Sequence, residues 1–167
     1  MHAIFAVYNK PSKMSKISQL VIFARIDRTN TYNEINFGQV PNFQAQEINS
    51  KTGVNVRGYF KVLTASGVRH AFNGHGNNIE ENKRGQIGIT ETDFELMPEI
   101  LNTPDTIIKG NNNSRQNKES ILFTKIINNK NYHVVMSLST HQQCGYLLAD
   151  VQNVLSRWKL NIYFAKK

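Results

Sequence analysis

The chain has a single cysteine, Cys144, so an internal disulfide and a thiolate metal cage are both excluded. Cys144 sits in HQQCGY, a turn-like segment, and reads as an incidental thiol rather than a nucleophile. No apolar run approaches the roughly 18 residues of a membrane span. The longest candidates are AIFAV (Ala3 to Val7) and LVIFARI (Leu20 to Ile26). The opening MHAIFAVYNKPSK lacks a basic start and a small-residue cleavage site, and it does not read as a signal peptide. No membrane partner is expected. Internal repeats and polybasic blocks are also absent.

What is present suits one compact domain, with or without an extra arm. The 167 residues are 40 % hydrophobic and 10 % aromatic, and mean hydropathy is −0.44. Lys and Arg total 20 against 12 Asp and Glu, giving a net charge of +8. A small domain this basic meets a polyanion, or carries the charge only as a solubilising surface. The first alternative makes RNA binding salt-sensitive. Affinity for labelled RNA then falls by orders of magnitude between about 50 and 200 mM salt, provided roughly six or more phosphates are engaged. A flat titration leaves the excess charge as surface chemistry.

Residues 1–33 contain β-prone apolar runs broken by KPSK and DRTNTYN, and read as an N-terminal arm or extension before a domain over 34–167. INFGQV predicts a short strand ended by Pro41. FQAQEINSKTG predicts a helix stopped by Gly53. In GYFKVLTASGVRHAFNGHG, the spacing of Val68, Ala71 and Phe72 predicts a helix, with Ser66 at its start and Gly74 and Gly76 at its end. Thr90 to Asp93 resembles a capping box before Phe94, Met97 and Leu101, and Pro98 splits that stretch into two short helices. KGNNNSRQNKES predicts a loop. ILFTKIIN and NYHVVMSLS predict a hairpin around an Asn-rich turn. Leu147 to Trp158 fits helix or strand, whereas Trp158, Leu160, Ile162 and Phe164 alternate as a strand. The fold class expected is α+β, with N-terminal helices packed on a small antiparallel sheet.

The segment VRHAFNGHG holds two of the five histidines, His70 and His75. On a continuous helix, positions five apart diverge by about 140°. Gly74 and Gly76 offer a way to fold the chain back, so that both imidazoles face one cleft with Arg84 and Gln86. Two histidines and a fixed cation suit metal-free RNA cleavage. One histidine takes the 2′-OH proton, the other protonates the leaving 5′-oxygen, and the cation stabilises the phosphorane. The alternatives are histidines that stabilise their own helix end, and a metal site of His70 and His75 with Glu80 or Glu81. Tight metal-ligand spacing is missing. Lys125, on the apolar side of its strand with Ile121, Phe123 and Ile127, either snorkels or lines a cleft.

These pieces, VRHAFNGHG, EENKRGQIGIT and DFELMPEILNTPDTI, resemble prophage-encoded nuclease-like domains of the barnase, EndoU, colicin E5/D and RelE superfamily. Such domains occur at the C-terminus of phage Mu-type head-morphogenesis and polyvalent phage proteins. The resemblance spans about Ile35 to Val135. It implies helices on a small antiparallel sheet and a toxin-type endoribonuclease without cofactor or metal. It places His70, His75, Arg84 and Gln86 on the family motif and Lys125 on the lysine of the first long strand, and the implied place of action is the cytoplasm of a bacterial cell. The candidate catalytic residues are then His70, His75, Arg84 and Lys125, and the candidate substrate contacts are Gln86, Asn73, Lys83 and Asn153. The implied partners are RNA, tRNA among them, and an acidic immunity or antitoxin protein. The sequence departs from the family pattern in HVVMSLS, which lacks an acidic residue, and in YLLADVQNVLSRWK, which lacks the expected threonine. Asp150, Gln152, Asn153 or Ser156 stands in its place.

Two other functions compete. One is an RNA-binding module of a phage-associated protein that has lost its chemistry. The other is an ADP-ribosyltransferase-type enzyme, for which the sequence carries no nicotinamide-binding signature. On the nuclease reading, His70 is the general acid or base, and His70→Ala is expected to abolish cleavage in a folded protein.

Overall fold

The computed structural model describes residues 14–29, 33–111, 119–140 and 158–166, with backbone alone for 139–140 and 158–166. The fold is α+β, as expected. It opens with helix α1 (Lys16–Ile26), capped by Ser15, whose Oγ accepts from Ser18 N at 3.0 Å. The β-prone reading of this segment is therefore corrected. Ile17, Leu20, Val21 and Ala24 recur at helical spacing and bury one stripe, and packing of that stripe outweighs β-branched propensity.

Strand β1 (Glu34–Gln39) leads into helix α2 (Asn42–Thr52). Gly53 ends α2 with φ 73°, a left-handed conformation that costs glycine little. Strand β2 (Phe60–Thr64) then passes directly into helix α3 (Ala65–His75). Its N-cap is Thr64, not Ser66: the Thr64 hydroxyl accepts from Gly67 N at 3.0 Å. Helix α4 (Asn78–Lys83) comes next, then a 3-10 helix (Glu91–Leu96) and helix α5 (Met97–Asn102). The capping box forms, with Thr90 N donating to Asp93 Oδ2 at 2.7 Å. Pro98 falls in the first turn of α5, where a missing N–H costs no helical bond. Phe94, Met97 and Leu101 are all buried, as their spacing predicts.

The remaining strands are β3 (Thr106–Lys109), β4 (Ser120–Ile127), β5 (Lys130–Thr140) and β6 (Trp158–Lys166). The β4–β5 hairpin closes through Asn128 and Asn129 with φ 51° and 60°. Positive φ at both central residues is the tight turn that matches strand twist. All six strands form one sheet in the order β1-β2-β6-β5-β4-β3. Neighbours are antiparallel except β2 and β6, which run parallel. The expected antiparallel sheet thus includes one parallel pair. Because β6 inserts between β2 and β5, it unites the strands that flank the helices with the C-terminal hairpin. The loop KGNNNSRQNKES lies outside the described residues over 112–118, and so does the stretch 147–157.

One hydrophobic core gathers α1, α2, α3, the 3-10 helix and α5 over one face of the sheet. Alternation on β4 and β5 supplies Ile121, Phe123, Tyr132, Val134 and Met136. Helix α3 lies against β6, β2 and α1. Helix α1 is tied to the 3-10 helix by Ser18, which donates to Glu95 at 2.6 Å, and by the Arg25–Glu91 pair.

Tyr132 pins the sheet to that same 3-10 helix. Its hydroxyl donates to Asp93 Oδ1 at 3.1 Å. Burial, reinforced by the Asp93 carboxylate, pushes the phenol up to about 12 from 10.0. The folded state therefore holds this proton more tightly than the unfolded chain does. The contribution is complete below about pH 10 and is lost as pH rises from there through about 12. Urea unfolding across this range is expected to show a steeper alkaline loss for the wild type than for Tyr132→Phe. Equal slopes would mean the Tyr132–Asp93 bond contributes nothing.

Candidate active site at the end of helix α3

Helix α3 presents Val68, Ala71, Phe72 and His75 at positions i, i+3, i+4 and i+7, so His75 continues the stripe that faces the core. Phe72 meets Phe94 at 5.4 Å between ring centroids, and the Arg25 guanidinium lies 4.9 Å above the Phe72 ring. His75 is the last helical residue and remains 31 % exposed.

The chain then returns beneath it. The Asn77 side chain caps α4 by accepting from Ile79 N and Glu80 N. That cap sets α4 so that the Glu81 side chain points inward, only 1 % exposed. Its Oε2 lies 2.9 Å from His75 Nδ1 and its Oε1 lies 3.1 Å from an Arg84 Nη. The carboxylate is acceptor-only, so Nδ1 carries the hydrogen in this bond. The Glu81 carbonyl also accepts from Arg84 N and Gln86 N, and Ile89 N donates to the His75 carbonyl at 2.9 Å. Gly85, with φ 69°, makes this reversal possible. A buried carboxylate is costly unless it is paired, and here it accepts from an imidazole N–H and a guanidinium N–H. Gln86 Oε1 is buried with no hydrogen-bond partner among the described residues.

The structure thus joins three of the sequence-based candidates, His75, Arg84 and Gln86, through a residue that the sequence offers only as an alternative metal ligand. Glu81 orients the ring, leaving Nε2 as its proton-handling atom, and it also holds the arginine. The signal in the sequence is Glu81 spaced three residues before Arg84 and six after His75. Only a turn in the right place makes that spacing meaningful.

The expected fold-back at Gly74 and Gly76 is corrected. Helix α3 runs unbroken through Gly74, and Gly76 has φ −85°. His70 therefore stays about 140° from His75 around the axis, on the exposed face with Asn73. Lys83 pairs with Glu80 at 2.8 Å. Lys125 is half-buried and donates to the Thr103 carbonyl at 2.6 Å, with Asp105 and Glu99 at 3.8 and 3.9 Å. It satisfies the end of α5 instead of joining the His75 cluster. Buried Lys61 does the same, donating to Asn102 Oδ1 at 2.9 Å and Gln44 Oε1 at 3.4 Å, and burial lowers its pKa. Asn153 and Cys144 lie outside the described residues. Among the described residues no group of three His, Cys, Asp or Glu side chains is placed to hold a metal.

The two glycines beside His75 have different roles, and this is testable. A Cβ at Gly76 would lie 2.5 Å from the Phe72 carbonyl oxygen, whereas one at Gly74 would meet nothing within 4 Å. Gly74→Ala is expected to stabilise by about 0.5–1 kcal/mol, the usual gain within a helix. Gly76→Ala is expected to destabilise, because the backbone it meets belongs to the helix end. Parallel urea denaturation checks both signs, and equal effects would contradict this account.

No curated protein and no solved structure matches the chain in comparison. A family model does: that of the phage-Barnase-EndoU-ColicinE5/D-RelE like nuclease3 family matches residues 38–150. The match covers the whole His75–Glu81–Arg84 array and most of the described sheet, and the chain belongs to this nuclease-like family.

Proposed function

We propose that the domain is a metal-independent endoribonuclease of toxin type, cleaving RNA by 2′-OH transesterification. The observation that carries this reading is the array of one imidazole and one guanidinium on a shared buried carboxylate, Glu81, in a chain of a nuclease-like family. With Nδ1 engaged by Glu81, His75 Nε2 takes the proton from the 2′-OH. The 2′-oxygen attacks phosphorus and the P–O5′ bond breaks. The leaving 5′-oxygen acquires its proton from water. Arg84, 59 % exposed, keeps guanidinium N–H groups for the phosphorane oxygens as charge develops.

A second reading has one observation in its favour. His70 and His75 diverge on a continuous helix, so the array holds a single acid–base imidazole. A basic module that binds RNA and no longer cuts it would need no more. Incubation of the purified protein with total RNA and with isolated tRNA, each with and without EDTA, separates the two. Fragments that persist in EDTA support the nuclease. RNA that is bound and stays intact supports the binding module.

A further inference from the structure

A groove beside α2 shares no residue with the array above. It has a volume of about 310 Å³ and is lined by Asn42, Ala45, Gln46, Asn49, Asn55 and Arg57. The sequence builds it simply. Asn42, Gln46 and Asn49 share one face of α2 at helical spacing. Gly53 turns the chain back along that face. Val54 and Val56 are fully buried, which sends the alternating Asn55 and Arg57 outward beside the helix. Asn55 Oδ1 accepts from Arg57 N at 3.1 Å and fixes the turn.

Four carboxamides and one guanidinium line this groove, with no carboxylate among them. The one acidic residue of α2, Glu47, is paired with Lys51 at 2.7 Å. Next to Asn42, and three residues from Gln46 on the helix surface, stands Phe43. It is 68 % exposed, so its ring is open to solvent. Amides offer paired donors and acceptors to base edges, arginine holds phosphate, and an exposed ring offers a stacking surface.

We infer that this groove holds a single-stranded RNA nucleotide outside the cleavage site, with Arg57 on a phosphate, Phe43 stacked on the base and the α2 amides on its edge. The inference rests on the reading of RNA as substrate. It identifies the substrate strand as one with unpaired bases, because stacking on Phe43 requires a base free of its helix.

The test measures affinity for a labelled single-stranded RNA by fluorescence anisotropy, in a His75→Asn background that does not consume the probe. Arg57→Gln and Phe43→Ala are each expected to weaken binding about tenfold or more. Phe43→Trp is expected to retain it. Both residues are exposed, so the thermal midpoint serves to confirm an unchanged fold. Duplex RNA of the same length is expected to lose much less affinity in Phe43→Ala than the single strand does. Unchanged single-strand affinity in both variants overturns the inference, and so do equal losses for duplex and single strand. If wild-type protein cuts no RNA while these variants still weaken binding, the nuclease reading fails and the groove stands. If it cuts RNA and the variants bind normally, the groove alone fails.

Discussion

His75→Asn is expected to slow RNA cleavage by about 10²–10⁴-fold while leaving the protein folded. An asparagine amide reaches roughly where Nδ1 sits and can donate to Glu81 Oε2, which lies 2.9 Å from that atom now. The buried carboxylate keeps its partner, so the loss is one of proton transfer and not of structure. The same substitution at His70 is the informative contrast. His70 lies on the exposed face of α3, away from the stripe that carries His75. His70→Asn is accordingly expected to leave the rate within a few-fold of wild type, which reverses the expectation drawn from the sequence alone. Initial rates on a defined RNA measure both. A normal rate in His75→Asn with a large loss in His70→Asn would move the chemistry to the other side of the helix.

Phe94→Ala is expected to destabilise the domain by about 3–5 kcal/mol, the range for truncating a fully buried phenylalanine. Phe94 has no exposed surface and stacks at a tilt on Phe72, 5.4 Å away. Phe72 in turn lies beneath Arg25 of α1 and on the same stripe as His75. The cavity would therefore open where α1, the 3-10 helix and α3 meet, with little room for the short 3-10 turn to collapse into it. Urea denaturation at neutral pH gives the value. A loss below about 1 kcal/mol would show that these helices do not depend on this ring.

Much of this architecture is legible in the sequence because its signals are local. Gly53 stopping α2, the capping box at Thr90 and Asp93, Pro98 at the start of α5 and the paired asparagines of the hairpin each act within a few residues. The illegible parts depend on distant partners. Helix α1 carries β-branched residues and becomes helical by burying Ile17, Leu20, Val21 and Ala24 against the core. The short strands β2 and β3 are too brief for a periodic signal and exist through β1, β6 and β4. Likewise the parallel β2–β6 pair depends on segments about a hundred positions apart in sequence.

For the site, residue types are readable and geometry is not. His75, Arg84 and Gln86 stand out by chemistry. Glu81 does not, because one acidic residue in EENKR looks like any solvated charge until Asn77 and Gly85 turn it inward. Gly74 and Gly76 suggest a reversal that the helix does not make; the close approach of Gly76 to the Phe72 carbonyl is the reason for that glycine. Lys125 suits either a snorkelling or a cleft-lining role by sequence, and its bond to the Thr103 carbonyl puts it at the end of α5.

The central claim is that His75, held by Glu81 and aided by Arg84, drives attack of a 2′-hydroxyl on its own phosphate. Analysis of the termini left by wild-type protein acting on a short RNA in EDTA tests it most directly. The account expects a 2′,3′-cyclic phosphate on one fragment and a 5′-hydroxyl on the other, and no cleavage where the scissile nucleotide is 2′-deoxy. Intact RNA, 5′-phosphate ends or equal cleavage of the deoxy substrate would contradict it.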